Sequence, residues 1–447
     1  MKYIHNQKDD KIVLSNDDIK NKLNIKEDDI SVYVIDNIEN ILVGDGLAKF
    51  QSTYPTYCGI KKEDFEMLLA SKTEYIRNEV LGKYLLSENL HILMSNGCSL
   101  YAGSKPINVT TESKDKKLLE EFRFSKETRR SELSKFINNL KEERPEQVLD
   151  KLYQIKSYFE NIIDCKDKLL DISNFIEKYK KVFIEDYVFT IDYNKNYYHK
   201  SLLKRITSRN GKLNKVNIFT LNYDVLIEKS AEENGIIVNN GFTGFHNRTF
   251  NPSSFHLDVH YNNSEGPYHF SKALNLFKLH GSLTWKLDST KPPYGITEIQ
   301  LDKVNDEKII PDCIIYPVQT KKKHSLDLPY SEMFRQFIEH INKPNSTLLV
   351  MGYSFLDEHV NDIITNALSN PSFNLIIFSY VEEEKAEDFL KDLFSLSKND
   401  SRITILTGRI LGNFEYINKF LIPYIRENDF EDKLKETFKV LMDKRDK

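Results

Sequence analysis

Short apolar runs alternate with segments of helical period, and the alternation is clearest in the last third of the chain. Three apolar runs there predict strands: 346–351, 375–378 and 402–406. Apolar residues at helical spacing predict helices: 330–342, 357–368 and 382–396. Strands that alternate with helices of about 10–15 residues form parallel sheets, so this part of the chain predicts a parallel sheet covered by helices.

The same alternation begins further upstream. Apolar runs predict more strands: 30–36, 90–95, 216–220, 236–238, 274–279 and 309–316. A helix is predicted over 63–86, and residues 239–270, rich in Asn, His, Ser and aromatic residues, are predicted to be loops. The predicted fold class is therefore α/β, with a Rossmann-like, doubly wound and mostly parallel sheet.

One long stretch interrupts this pattern. Residues 111–212 carry dense charges with apolar residues at helical intervals, and Pro145 separates two of the predicted helices, so we expect a helical insertion. It lies within a main domain over 88–425. Residues 1–87 are expected to form an N-terminal extension that serves in oligomerisation or docking, and residues 426–447 a C-terminal helix or tail.

Charge and cysteine usage exclude several classes of protein. The 447 residues contain 67 acidic and 63 basic side chains, a net charge of −4, which does not favour direct nucleic-acid binding. Apolar runs stay shorter than the roughly 18 residues of a membrane span, and the first residues lack the apolar core of a signal peptide. The four cysteines form no Cys-x-x-Cys pair, so we expect a cytoplasmic protein without a metal.

Polar and small residues follow four of the predicted strands. The first set comes after the strand at 90–95 and opens a helix: Ser95, Asn96, Gly97, Cys98 and Ser99. Backbone N–H groups in such a loop suit a phosphate group. The second set ends the strand at 216–220: Thr220, Asn222 and Asp224.

The third and fourth sets end the strands at 274–279 and 346–351: His280 with Gly281, and Gly352 with Ser354. A histidine at a strand end is a candidate general base because its pKa lies near neutrality. Open α/β sheets bind ligands at the carboxyl ends of their strands. The four sets together therefore predict a nucleotide site at one sheet edge.

Each set also has a structural interpretation. Residues 95–99 could form an ordinary strand–helix turn, and Asp224 could cap the helix that follows it. His280 could be a structural histidine with its hydrogen bonds satisfied within the protein. Several histidines lie between 246 and 280, and His256 and His260 are four positions apart. Because no helix is predicted around them and no Cys or Glu pattern completes a ligand set, they do not indicate a metal site.

The four sets, in this order, resemble the sirtuin family. The family's G-A-G-x-S-x-x-x-G loop is similar to residues 95–103, with Ser95 and Asn96 departing from its first two positions. Its T-Q-N-x-D motif is similar to residues 220–224, its H-G pair to 280–281, and its G-x-S motif to 352–354. The resemblance spans about residues 88–410.

The resemblance implies that NAD is bound and that its nicotinamide–ribose bond is cleaved. It implies catalytic roles for Asn222, which would hold the ribose and orient a water, and for His280 as the base. The implied NAD-binding residues are Ser95, Asn96, Gly97, Cys98, Ser99, Thr220, Asp224, Gly281, Gly352 and Ser354. Residues 95–99 would hold the pyrophosphate, and the helical insertion would form a lid.

Two departures from deacylating sirtuins narrow the expected function. The chain lacks their four-cysteine zinc ribbon, and residues 104–108 do not match the P-D-F-R-type segment that follows their glycine loop. Both features resemble the sirtuin-like NAD hydrolases of bacterial anti-phage defence. With no further sensor domain evident after residue 425, the chain most resembles the subgroup paired with a HerA-type ATPase, and we expect a homo-oligomer.

Other functions predict different behaviour towards NAD. A sirtuin-type deacylase would consume NAD only with an acylated peptide, and a non-catalytic NAD or ADP-ribose binding module would bind without turnover. A Rossmann dehydrogenase is disfavoured because residues 95–103 lack the G-x-G-x-x-G pattern, with an acidic residue about 20 positions later, that such enzymes use.

Overall fold

The computed structural model describes residues 2–4, 76–105, 114–125, 132–143, 145–161, 165–187, 189–209, 213–261, 268–269, 272–291, 293–300, 329–408 and 411–423. The strands predicted at 30–36 and 309–316 lie outside these residues, as do most of the N-terminal extension and all of residues 426–447.

Strands of the described residues are, in chain order, β1 (Lys2–Ile4), β2 (Asn89–Met94), β3 (Val216–Thr220), β4 (Ile237–Asn239), β5 (Phe242–Thr243), β6 (Arg248–Phe250), β7 (His260–Tyr261), β8 (Tyr268–His269), β9 (Ala273–Lys278), β10 (Trp285–Leu287), β11 (Ile296–Glu298), β12 (Ser346–Met351), β13 (Asn374–Ser379) and β14 (Ile403–Thr407). Helices are α1 (Gly82–Leu85), α2 (Lys114–Glu121), α3 (Glu132–Asn139), α4 (Pro145–Glu160), α5 (Lys166–Tyr187), α6 (Tyr197–Ile206), α7 (Leu226–Glu233), α8 (Tyr330–Ile341), α9 (Glu358–Ala367), α10 (Asp388–Ser397) and α11 (Phe414–Tyr416).

The main sheet has the strand order β1-β14-β13-β12-β2-β3-β9-β4. Seven of its strands are parallel to their neighbours, and β1 pairs antiparallel with β14 at one edge. Helices cover both faces, so the predicted doubly wound, Rossmann-like α/β fold is confirmed. Within the part of the chain that the structure describes, no helix is both long and apolar enough to cross a membrane.

Successive side chains along each strand point to opposite faces of the sheet and pack in two different cores. On one face, residues such as Ile92 and Ile218 pack with α1, α6 and α7. On the other face, residues such as Leu93 and Phe219 pack with α8, α9 and α10. Strands buried on both faces read as continuous apolar runs, which explains why runs without alternation predicted them correctly.

The register of the sheet aligns the ends of β2, β3, β9 and β12, which precede the four sets of polar and small residues. Met94 at the end of β2 pairs with both Met351 and Thr220, and Thr220 pairs with Lys278 at the end of β9. The chain leaves β2 towards β3 on one side and leaves β12 towards β13 on the other. The junction of β2 and β12 is therefore the topological switch point, where open α/β sheets bind their ligands.

The helices α2 to α5 form a separate core within the predicted insertion. Leu149, Ile176 and Phe183 are among its buried residues. Leu283, from the loop after β9, is buried in this same core, and Tyr223, from the loop after β3, packs against it. The helix α6 instead packs on the main sheet, although the predicted insertion extended to residue 212.

Two predictions of local structure are wrong. Residues 239–270 contain short strands, and β10, β11, β6 and β5 form a small antiparallel sheet in that order. Strands of two or three residues are too short to show a periodicity of apolar positions. The helix predicted from 382 begins only at Asp388, since a short 3-10 turn at Glu383–Lys385 precedes it.

Candidate functional site

The loops after β2, β3, β9 and β12 meet at the carboxyl edge of four neighbouring strands. Backbone hydrogen bonds tie them together there. Leu221 donates its amide to the Met94 carbonyl, Leu279 to the Thr220 carbonyl, and Leu283 to the Tyr223 carbonyl. The four sets of polar residues singled out in the sequence therefore share one edge of the sheet.

The loop at 95–99 differs from its prediction. It forms two short 3-10 turns, Asn96–Cys98 and Leu100–Ala102, instead of opening an α-helix. The amides of Ser95, Gly97, Cys98 and Ser99 donate to the carbonyls of Met351, Gly352, Ser95 and Asn96, respectively. Two of these amides therefore bind within the loop, and two bind the end of β12 and the residue after it, so the loop does not present the α-helix N-terminus that was expected.

Gly97 and Gly352 are required where two of the loops cross. A Cβ atom on Gly97 would lie 2.6 Å from the Cα atom of Gly352, and one on Gly352 would lie 2.6 Å from the Cys98 nitrogen. Gly352 also has a φ of +64°, which glycine adopts without strain. Both glycines thus bring the loops after β2 and β12 into contact at the switch point.

Cys98 and Ser99 lie inside the protein. The Cys98 side chain is part of the main core, and burial raises the pKa of its thiol. Ser99 is fully buried as well, while Ser95, Asn96 and Gly97 are partly exposed. The Asn96 side chain donates to the Lys105 carbonyl at 2.9 Å and accepts a hydrogen bond from the Ser104 hydroxyl.

A hydrogen-bonded chain joins the first loop to the second. The Asn222 amide Nδ2 donates to the Ser99 hydroxyl at 3.0 Å, and that hydroxyl donates to Oδ2 of Asp224 at 2.9 Å. The other carboxylate oxygen of Asp224 accepts the amide of Leu226, the first residue of α7, although the N-cap position of this helix is Val225 and not Asp224 as predicted. The Thr220 hydroxyl accepts a hydrogen bond from the backbone N–H of Asn222 at 3.1 Å. All four polar side chains are buried: Ser99, Thr220, Asn222 and Asp224.

His280 pairs with a carboxylate from the fourth loop. Its Nε2 atom lies 3.0 Å from Oδ2 of Asp357, and both side chains are less than a tenth exposed. Oδ1 of Asp357 caps α9 by accepting the amides of His359 and Val360. Since the helix fixes Asp357, the aspartate in turn holds the imidazole ring in one orientation.

Two remaining candidates lie beside this pair along the chain. Gly281 has a φ of +86°, which allows the turn directly after His280. Ser354 is exposed, and the hydroxyl of the neighbouring Tyr353 lies within hydrogen-bond distance of two acceptors, the carbonyl of Asp357 at 3.1 Å and Oδ1 of Asn361 at 2.9 Å. Tyr353 therefore helps to hold the fourth loop against α9.

Sequence analysis missed Asp357 as a member of the site. It was predicted only as the first residue of a helix. A carboxylate that begins the helix after a ligand-binding strand end was the available indication, since such a residue faces the same edge as the other loops.

Among the described side chains, no group of three or more His, Cys, Asp or Glu residues could hold a metal ion. The side chains of His260 and His269, two of the clustered histidines, lie outside the described residues.

Comparison with known proteins gives a match to one part of the chain, which includes part of this edge. No curated protein matches the chain. Residues 216–397 match the family model described as a SIR2-like domain. The matched range holds the loops after β3, β9 and β12, with Asn222, His280 and Asp357. The match supports a sirtuin-like family and fits an NAD-dependent enzyme in the broad sense.

Proposed function

We propose that this protein hydrolyses NAD to nicotinamide and ADP-ribose. The observation that carries the proposal is the buried His280–Asp357 pair, at the same sheet edge as the Asn222–Ser99–Asp224 chain. Both lie at strand ends of a doubly wound sheet, and three of the four loops fall within the SIR2-like match.

The reaction needs a positioned water and a base. Water attacks C1 of the nicotinamide ribose as the C–N bond breaks, and the pyridinium nitrogen takes the bonding electron pair, so nicotinamide leaves neutral. His280 would accept the proton from the water or from a ribose hydroxyl, with Asp357 stabilising the imidazolium. General-base catalysis of this kind contributes roughly 10²–10⁴-fold to a rate.

Asn222 is proposed to hold the ribose and orient the water. Its Nδ2 donates to Ser99, which fixes the amide plane and directs its carbonyl oxygen. Asp224 supports this arrangement by accepting from Ser99. An amide held in this way is preorganised for the transition state without further ordering.

The rest of NAD is proposed to lie along the switch point. The partly exposed residues 95–97 would face the pyrophosphate, and Gly352 and Ser354 would line the adenosine half. Thr220 and Gly281 would shape the floor of the site, while the buried Cys98 and Ser99 would act from beneath the loop. The helical insertion is proposed as a lid because its core includes Leu283 from the loop after His280.

The wider role proposed is anti-phage defence by depletion of NAD in the cytoplasm. The protein would act as a homo-oligomer, with a HerA-type ATPase as its partner and with residues 1–87 for docking. The lack of a Cys-x-x-Cys pair argues against the zinc ribbon of deacylating sirtuins. Deacylation and binding without turnover remain as outcomes that the experiments separate.

The active-site proposal is tested with Asn222→Ala and His280→Ala. Each variant should lose at least about 99% of NAD turnover, since the pair acts on the reacting atoms. Circular dichroism and thermal unfolding check that the fold is retained. Wild-type turnover in both variants would show that the catalytic residues lie elsewhere.

A further inference from the structure

Lys278 is the last residue of β9 and lies two positions before His280. Its side chain is only 1% exposed. Burial of an ammonium group is strongly unfavourable unless charged and polar partners replace its water. The partners of Lys278 therefore show what this buried charge does.

All three acceptors around the Lys278 ammonium come from the chain that follows β3. Nζ lies 2.9 Å from Oε1 of Glu228 in α7, and it donates to the carbonyl oxygens of Tyr223, at 3.4 Å, and Asp224. An ammonium has three N–H donors, so these contacts can use all of them. Two of the three fall on the loop that carries Asn222 and Asp224.

The loop is thereby tied to the strand that carries His280. Tyr223 also accepts the Leu283 amide through its carbonyl, and Asp224 bonds to Ser99 and to the Leu226 amide. The Lys278 contacts act on the backbone between Asn222 and α7, where a shift would move the Asn222 side chain. A charged donor in a buried setting gives stronger hydrogen bonds than a neutral one.

We propose that Lys278 is a positioning residue, which fixes the backbone of Tyr223 and Asp224 so that Asn222 is held for catalysis. This inference rests on the proposed function for its catalytic part. Its structural part, that Lys278 restrains the loop, stands independently. Lys278 itself does not touch the substrate in this account.

The chain offers a matched control at the opposite end of β3. Lys215, directly before β3, has a side chain only 10% exposed, lies 2.8 Å from Oδ1 of Asp258, and donates to the Leu257 carbonyl at 3.1 Å. It thus combines a carboxylate with a backbone carbonyl, as Lys278 does. A change at Lys215 removes a similar contact set at the strand's amino end.

The test compares the double variants Lys278→Met/Glu228→Leu and Lys215→Met/Asp258→Leu. Removing both charges of a pair avoids leaving one buried charge unpaired. In the first variant, amide hydrogen exchange over residues 221–226 should accelerate at least about tenfold, and kcat for nicotinamide release should fall about 10–100-fold, since small misplacements cost rate. KM should change less than about threefold, because the residues that bind NAD before the reaction are unchanged.

The control variant should leave both the exchange of residues 221–226 and kcat at wild-type values. Unchanged exchange in the Lys278 variant would overturn the inference, even if turnover fell. Accelerated exchange with wild-type kcat would overturn its catalytic part. If the double variant does not fold, Lys278→Gln, which keeps an N–H donor with less reach, should show the same acceleration.

Failure of the proposed function gives a different result. A wild-type protein that binds but does not hydrolyse NAD would remove the catalytic proposal. The exchange measurement would still decide whether Lys278 restrains the loop, since it needs no turnover.

Discussion

Asp357 serves two elements with the two oxygens of one carboxylate. One oxygen accepts from the first amides of α9, and the other lies 3.0 Å from His280. Because Asp357 is fixed as the cap of α9, the orientation of the His280 imidazole depends on where this helix begins. None of the proposed catalytic residues lies in α9 itself. The two roles can be separated by substitutions that keep one and remove the other.

Asp357→Asn should separate charge from capping. Asparagine caps helices about as well as aspartate, so thermal stability should stay close to wild type. The negative charge beside His280 is lost, and kcat should fall roughly 10²-fold or more, because an imidazolium is no longer stabilised.

Asp357→Ala is the matched comparison. It should lose kcat to a similar extent and also destabilise the protein by about 0.5–2 kcal/mol through the lost cap. Unfolding midpoints and nicotinamide release measure the two effects. An Asp357→Asn variant with wild-type kcat would contradict a role for the carboxylate charge.

The sequence predicted which residues belong to the candidate site better than it predicted what those residues contact. Asn222, Asp224 and His280 lie at one edge because parallel strands end there, and this follows from alternation alone. The pairing of His280 with Asp357 joins residues 77 positions apart, and it depends on which strands are neighbours. Cys98 and Ser99 are likewise surrounded by loops that follow other strands, since Gly352 lies against Cys98 while Asn222 and Asp224 hydrogen-bond to Ser99, and no local pattern indicates these contacts.

A row of polar side chains crosses the main sheet on the face covered by α8. His91, Asn217 and Asn275 are paired in register on β2, β3 and β9. Asn217 donates to Nδ1 of His91 and Nδ1 of His340, each at 3.2 Å, and accepts from Asn275 at 2.8 Å. The row thus links α8 to three strands through buried hydrogen bonds.

Burial keeps both histidines of this row neutral. It lowers the pKa of His340 to about 3, with a smaller contribution from the nearby Lys343, and it lowers the pKa of His91 well below 6.5, helped by His340. In the unfolded chain each imidazole takes up a proton below about pH 6.5. The folded protein should therefore lose stability as the pH falls from about 6.5 towards 3.

His340→Gln should reduce this acid sensitivity. The glutamine oxygen can accept from Asn217, and the side chain does not titrate. Between pH 6.5 and 4, the slope of unfolding free energy against pH should decrease by up to about 1.4 kcal/mol per pH unit. Urea unfolding at several pH values measures it. An unchanged slope would mean that His340 is protonated in the folded protein.

The length of a strand decided whether the sequence predicted it. Strands such as β2 and β12 contain six buried residues each, and their apolar runs identify them. The strands β5 and β6 contain two and three residues and pair with each other, while β6 also pairs with β11, which is distant in sequence. Strands this short show no periodicity of apolar positions, and a single local window does not contain the pairing with β11.

The candidate site is in contact with the helical insertion. Leu283 and Tyr223 belong to loops of the candidate site, yet both pack with the core of α2 to α5. The sequence predicted an insertion from its charge density and helical spacing. Strand order, the switch point between β2 and β12, and this contact with the loops follow from the three-dimensional arrangement of elements.

Under the proposed function, the whole protein cleaves NAD without an acylated peptide. The measurement is release of nicotinamide and ADP-ribose from NAD by the purified chain, with and without an acetylated peptide, beside the His280→Ala variant. We expect equal amounts of both products, independent of the peptide, and neither product with the variant. Release that requires the peptide, or that persists in His280→Ala, would contradict it.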